Sequence, residues 1–298
     1  MADIPTSVKF GTAGLGGIGG WICVHPFNTL SVRMNLASAQ PNYVPTSFPK
    51  YCMQTIKEKG FMSAYDGLGA GCTRQIFYAT SRFGLFETFR DKIHEIRGTL
   101  GPAERAVAGL SSGACAAIIS CPAEVSLVRM SNDSTMPKDQ QRNYKSVVDA
   151  FTRIAKEDGV ATFWRGSVPF VQRAMLVGLV QVGTFDQNKV LFETYGGIKR
   201  GTYGNVLCAS FASGLMYSIV TLPFETAKNR MAFQTPDPKT GKLAFTGTFQ
   251  TISAVAKQNG ALSLWNGFTP YYLRCGGHTV TMFIFVELLR DAYTGGKK

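Results

Sequence analysis

The sequence predicts an all-α membrane protein: six transmembrane helices in three pseudo-symmetric repeats, with three short amphipathic helices between them. Three observations carry this. Residues 10–32 and 201–224 hold no Asp, Glu, Lys or Arg, and each run is long enough to cross a hydrocarbon layer of ~30 Å. A third charge-free run, 106–123, is 18 residues long. Near the end of each run stands one motif, a Pro followed two residues on by an acid and then by bases at the sixth and eighth places. It is complete in Pro223-Phe224-Glu225-Thr226-Ala227-Lys228-Asn229-Arg230. Leu127 takes the sixth place in the copy from Pro122 to Arg129, and Asn28 and Ser31 replace charges in the copy from Pro26 to Arg33.

The period is fixed by further landmarks. Tyr65-Asp66-Gly67, Trp164-Arg165-Gly166 and Trp265-Asn266-Gly267 are 99 and 101 residues apart. Seven residues after each glycine stands an arginine: Arg74, Arg173 and Arg274. Twenty residues after each stands an acid, Glu87, Asp186 or Glu287, followed three later by Arg90, Lys189 or Arg290. Four landmarks in one register give three repeats, 1–98, 99–200 and 201–298, that form one bundle.

Each repeat divides alike. An apolar helix interrupted by Pro comes first, near 8–37, 103–131 and 203–232. Pro26, Pro122 and Pro223 each remove a backbone donor, so a kink is expected at each, and three equivalent kinks would draw the helix ends into a constriction. A polar loop follows (40–49, 132–143, 235–242), then a short amphipathic helix. The clearest is 144–156, with Val147, Val148, Phe151 and Ile154 on one face. Gly60, Gly159 and Gly260 are placed to stop these short helices. A second long helix begins after each aromatic-x-Gly landmark. It is punctuated by arginine, which a bundle tolerates where the charge faces a water-filled interior. Gly16-x-x-x-Gly20 and Gly109-x-x-x-Gly113 predict close helix contacts.

Composition narrows the function. The 298 residues carry 31 bases and 19 acids, net +12. That balance suits an anionic membrane surface or an anionic small substrate. The bases are spread along the chain, not gathered in one stripe, so nucleic acid is disfavoured. Seven cysteines without a C-x-x-C pair read as apolar packers in a reducing compartment. His25, His94 and His278 show no metal-ligand spacing. No nucleophile–base pair or phosphate loop is evident, so neither an enzyme nor a cofactor is expected. The start lacks a secretory pattern, so targeting information is expected to be internal.

The three proline motifs and aromatic-x-Gly starts resemble the mitochondrial carrier family over essentially the whole chain. So do Phe86-Glu87-Thr88-Phe89-Arg90 and Phe185-Asp186-Gln187-Asn188-Lys189, although Val286-Glu287-Leu288-Leu289-Arg290 lacks the aromatic. Within the family the stretches 121–130 and 267–274, continued by His278-Thr279-Val280, are most similar to the branch that exchanges 2-oxoglutarate for malate. The resemblance implies a threefold six-helix bundle in the mitochondrial inner membrane, an antiporter working by alternating access about a central site. The three short helices would lie on the matrix side. A carrier for phosphate or another anion, a proton-leak protein, or a non-transporting scaffold on the same fold are the other readings. A scaffold has no need of the arginines on three helices.

Arg74, Tyr78 and Arg82 are spaced to line one face of the second long helix. Arg173 and Arg274 share the register of Arg74, so a threefold bundle points arginines at one level from three directions. Unpaired guanidinium groups there are costly unless an anion or water meets them, and their planar fork matches a carboxylate. These five residues are the candidate substrate site for a small dicarboxylate, although Arg74 and Arg274 could instead hold carbonyls freed by kinks and Tyr78 could simply be packed. The resemblance further implies two gates. A cytoplasmic ring would pair Glu87, Arg90, Asp186, Lys189, Glu287 and Arg290, unless these are solvated helix ends with local pairing. A matrix ring would pair Glu124 with Lys228, set Glu225 against Ser31, and leave Asn28 facing Leu127, so a single full bridge of three is expected and weaker matrix closure with it. Gly67, Gly166 and Gly267 start helices whose free amides favour an anion. The resemblance suggests cardiolipin there, and an interfacial aromatic anchor is the competing reading. The carrier is expected to act as a monomer.

Overall fold

The structure, a computed structural model, describes residues 6–38, 44, 46–98, 101–199, 202–235 and 242–293. The regular structure of the described residues is all helical, with no strand among them. Six long helices alternate with shorter ones: α1 (Thr6–Ala37), α2 (Phe48–Lys59), α3 (Leu68–Arg97), α4 (Pro102–Asp133), α5 (Val147–Arg153), α6 (Ser167–Thr194), α7 (Tyr203–Phe233), α8 (Thr248–Asn259) and α9 (Phe268–Tyr293). A single 3₁₀ turn precedes each of α3, α6 and α9, at Phe61–Tyr65, Val160–Trp164 and Ala261–Trp265.

Glycine sets the boundaries. Gly60, Gly159 and Gly260 stop the short helices with φ of 76°, 84° and 82°, a region where only glycine escapes the Cβ clash. Gly67, Gly166 and Gly267 start α3, α6 and α9, again left-handed at 80°, 86° and 83°. Each also lies against the backbone of the next repeat's first helix. A Cβ at Gly67 would stand 3.3 Å from the Leu127 carbonyl, at Gly166 3.0 Å from the Lys228 carbonyl, and at Gly267 2.9 Å from the Ser31 carbonyl. Backbone geometry and close packing therefore both require these glycines, whatever else binds there.

The long helices form a closed ring. α3 packs chiefly on α4, α6 on α7, and α9 on α1, so each repeat's second helix meets the first helix of the next. α1, α4 and α7 also touch one another in pairs. Beyond their prolines these three helices are almost wholly enclosed: residues 28–36, 123–129 and 225–232 are all buried. Pro26, Pro122 and Pro223 lie inside α1, α4 and α7, and none ends its helix. The carbonyl that Pro223 leaves without an amide, Ile219 O, accepts instead from the Trp265 indole N–H at 2.9 Å. The constricted end of the ring is the proline end. Of the described helices, two stretches, Glu104–Asp133 and Leu207–Phe233, are apolar and long enough to cross a membrane.

Three expectations are corrected. The amphipathic helix of the second repeat starts at Val147, capped by Ser146 Oγ accepting from the Asp149 amide at 3.1 Å, and continues as a wider π turn over Ile154–Asp158. Val148 is exposed, and Ala150 and Ile154 are the residues buried there. The glycine pairs also differ. Gly16 and Gly20 bring α1 against α9, where a Cβ at Gly20 would meet Met282 N at 2.9 Å. Gly113 faces open space and Gly109 has nothing nearer than Phe86 at 4.0 Å, so this second pair does not serve close approach.

Candidate functional site

The candidate site sits just inside the constriction, where α3, α6 and α9 carry Arg74, Arg173 and Arg274 towards the motif residues of α4, α7 and α1. Each arginine meets the acid position of the next repeat's motif. Arg74 Nε lies 3.3 Å from Glu124 Oε2, and Arg173 Nε lies 2.8 Å from Glu225 Oε2. In the third pair the acid position is Asn28, and Arg274 Nη1 donates to its Oδ1 at 3.0 Å. Arg274 is also 3.9 Å from Glu225 Oε1. Lys228 joins the glutamates, donating to Glu124 Oε1 and, at 2.8 Å, to Glu225 Oε1. The side chains of Glu124, Glu225 and Lys228 are 6%, 3% and 3% exposed.

The expectation of unpaired guanidinium groups is therefore corrected: Arg74 and Arg173 are paired with protein carboxylates. Those two contacts are close but poorly aligned, since neither Nε nor either facing carboxylate oxygen has a hydrogen-bond partner. The remaining guanidinium surface is held by weaker contacts. Arg74 lies over the Trp21 ring at 4.5 Å and donates to Gln75 Oε1 at 2.9 Å. Arg274 lies over Tyr271 at 4.7 Å. Across the cluster, among the described residues, four bases (Arg74, Arg173, Lys228, Arg274) face two acids (Glu124, Glu225), so two positive charges are uncompensated. Tyr78 is half-buried, 6.4 Å from Phe170 between ring centroids, and its hydroxyl accepts from exposed Arg82 at 3.4 Å.

The matrix-ring pairing also needs correction. Glu124 and Lys228 meet as expected. Ser31 does not meet Glu225; its hydroxyl donates to Gly267 O at 3.3 Å, while Glu225 is taken by Arg173 and Lys228. Asn28 is held by Arg274, and Leu127 sits in an apolar cluster with Trp21, Val24 and Ala70. The worn motif copies thus leave a constriction tied by several charged contacts. At the opposite end of the bundle Glu87 is exposed, and Arg90 donates to its neighbour Asp91 at 2.8 Å and, among the described residues, to no other helix. Lys189 Nζ lies 4.0 Å from the Phe185 ring centroid. The side chains of Asp186, Glu287 and Arg290 lie outside the described residues.

Sequence reasoning missed how the last base of each motif is anchored. Arg33 Nη2 donates to Asp66 Oδ2 at 2.7 Å and to Ser63 O at 2.8 Å, and its Nε to Ser131 O at 2.8 Å. Arg129 is paired with Asp158, which also accepts from Arg142 at 2.6 Å. Burial alone would raise the Asp158 carboxyl, but the hydrogen bonds from Arg142 and Arg129 prevail and hold it at about 2. The signals were available: Asp66 stands inside the Tyr-Asp-Gly landmark, and Asp158 directly precedes a capping glycine.

The family described as "Mitochondrial carrier protein" matches residues 3–97, 98–196 and 199–297. The chain is 37% identical over 290 residues to the mitochondrial 2-oxoglutarate/malate carrier protein of Caenorhabditis elegans, covering 97% of this chain and 94% of that one. It is 37% identical over 295 residues to the human protein of the same name, covering 97% and 92%. Similarity to a probable mitochondrial 2-oxoglutarate/malate carrier protein of Dictyostelium discoideum is 34% over 282 residues, covering 94% and 88%.

Proposed function

The chain belongs to the mitochondrial carrier family, and we propose that it exchanges 2-oxoglutarate for malate or a related dicarboxylate across the mitochondrial inner membrane. The six long helices span that membrane in this reading, and the repeats 1–98, 99–200 and 201–298 act as one monomeric bundle. The observation that carries the substrate class is the charge of the central cluster, where two positive charges are uncompensated. A dianion with a carboxylate at each end balances that charge; a neutral or monovalent solute does not. The names of the similar carriers point to the same class.

The mechanism follows from competition. Glu124 and Glu225 hold Arg74 and Arg173 through close but misaligned contacts. A substrate carboxylate that meets a guanidinium fork with two aligned bonds displaces them. The same glutamates are bound by Lys228 and help close the proline end. Substrate binding therefore rearranges the contacts that hold the constriction, which couples occupancy to opening. An empty cluster with excess positive charge resists that change, and this favours exchange over net uptake. The ring of Glu87, Arg90, Asp186, Lys189, Glu287 and Arg290 would close the cytoplasmic side in the alternate state. The left-handed glycine starts of α3, α6 and α9 would hold an anionic phospholipid, cardiolipin in this reading.

Proteoliposomes preloaded with malate, compared with empty ones, test exchange; equal uptake would contradict it. Arg173→Ala and Arg274→Ala should each abolish dicarboxylate uptake while the protein still folds. Near-normal uptake in both would defeat the assigned site. A panel of dicarboxylates, phosphate and sulfate separates this reading from carriers of other anions.

A further inference from the structure

The three repeats end their motifs on Arg33, Arg129 and Arg230, and these arginines are treated unequally. All three are buried, at 1%, 4% and 3% exposure. Arg33 has the carboxylate of Asp66 and Arg129 that of Asp158. Arg230 has no acid within ion-pair distance among the described residues. Its guanidinium makes one side-chain hydrogen bond, from Nη2 to Ser38 Oγ at 2.9 Å, and its buried Nε has no partner. The residue equivalent to Asp158, directly before the capping glycine, is Asn259. Asn259 is exposed and donates its own amide to Ser38 O. The uncompensated guanidinium therefore lies beside buried Ser38, whose carbonyl is held by exposed Asn259.

We propose that Arg230 is an oxyanion site, filled by a phosphate or carboxylate group that supplies the charge which Asp66 and Asp158 supply in the other repeats. A buried guanidinium without a counter-charge is unfavourable, and the negative ends of α1, α7 and α8 offset only part of it. The planar fork, with Nε unpartnered, suits an oxygen anion more than a halide. Ser38 Oγ and the Asn259 amide complete a polar wall at one side. The occupied site ties α7 to the end of α1 in the way that Asp158 ties α4 to the segment after α5. It is separate from the central cluster and does not depend on the transport reading.

Thermal unfolding in a zwitterionic detergent tests this, with inorganic phosphate as one probe and an anionic phospholipid as the other. Phosphate is expected to raise the melting temperature saturably by a few degrees. Asn259→Asp, which places a carboxylate where Asp158 stands in the second repeat, is expected to raise the melting temperature without phosphate and to abolish the phosphate effect. Arg173→Ala, which alters the central cluster, should leave the effect intact. A rise with phospholipid but not phosphate, lost in Asn259→Asp, assigns the anion to a lipid headgroup. No rise with either probe, or a phosphate rise that survives Asn259→Asp and disappears in Arg173→Ala, overturns the site.

Discussion

Asn28→Asp changes one amide nitrogen to oxygen, and it acts at the point where the central cluster is least compensated. Arg74 and Arg173 already face glutamates, whereas Arg274 Nη1 donates to the neutral Asn28 oxygen at 3.0 Å and has its nearest carboxylate, Glu225 Oε1, at 3.9 Å. A carboxylate there turns a neutral-acceptor bond into one between two charges. The guanidinium donor makes the present bond charge-assisted already, and a charge on the acceptor adds about 1–2 kcal/mol, between the ~1 kcal/mol of a solvated ion pair and the several of a buried one. A substrate carboxylate must then displace the introduced carboxylate from Arg274. At 1.4 kcal/mol per tenfold, the KM for dicarboxylate rises by about 5- to 30-fold. The assay is labelled malate uptake into malate-loaded proteoliposomes, read as KM and maximal rate for Asn28→Asp, Asn28→Ala and the parent. The alanine variant introduces no carboxylate to compete with substrate for Arg274, so KM should not rise by more than about threefold. From the motif pattern alone, an acid at 28 faces Leu127 and does little. An unchanged KM for Asn28→Asp would restore that reading and refute the role given to Arg274.

Asp158→Asn leaves Arg129 buried without a counter-charge and should destabilise the protein by about 3 kcal/mol, read by thermal unfolding. The same carboxyl gives a pH signature. Its folded pKa of about 2 lies below the unfolded value of about 3.9, so its contribution is complete above about pH 4 and is lost as pH falls towards 2. That loss amounts to about 2 kcal/mol and should vanish in Asp158→Asn. Trp265→Phe removes the donor to Ile219 O and should cost about 1–3 kcal/mol, because Pro223 supplies no amide in its place. Ser31→Lys, which the motif pattern suggests should strengthen closure through Glu225, should instead lower the melting temperature. Residue 31 is packed on Gly267, and the new base would join a cluster already in positive excess. A higher melting temperature would re-establish the pairing of residue 31 with Glu225.

Helix starts and stops were legible because they depend on local chemistry. Gly60, Gly159 and Gly260 are needed where φ is positive, and Pro26, Pro122 and Pro223 mark one level in α1, α4 and α7. The level of Arg74, Arg173 and Arg274 was legible from register. Their partners were not, because spacing along a helix fixes a face but not the neighbour across a seam. The motif pattern places Glu124 and Glu225 within the ring alone, whereas each also serves an arginine from the preceding repeat. Asp66 is visible in its Tyr-Asp-Gly landmark but its role is not, because it stands at a different position in the repeat from Asp158 and reaches an equivalent arginine. Val148 shows the limit of periodicity, since the helix starts late and turns to π geometry, which rotates the face that is buried.

The seam between α1 and α9 differs from the other two in having no loop across it. Glycines also line its helix interiors, with Gly19 against the Phe285 ring and Gly20 against the Met282 amide, whereas Gly113 on the α3–α4 seam faces open space. During synthesis α3 meets α4, and α6 meets α7, soon after each emerges. α1 must wait for α9, the last of the described helices, so ring closure is a late, long-range step. Bulk at Gly20 should therefore leave an insertable chain with two seams formed and the third agape, a fault of biogenesis rather than of transport.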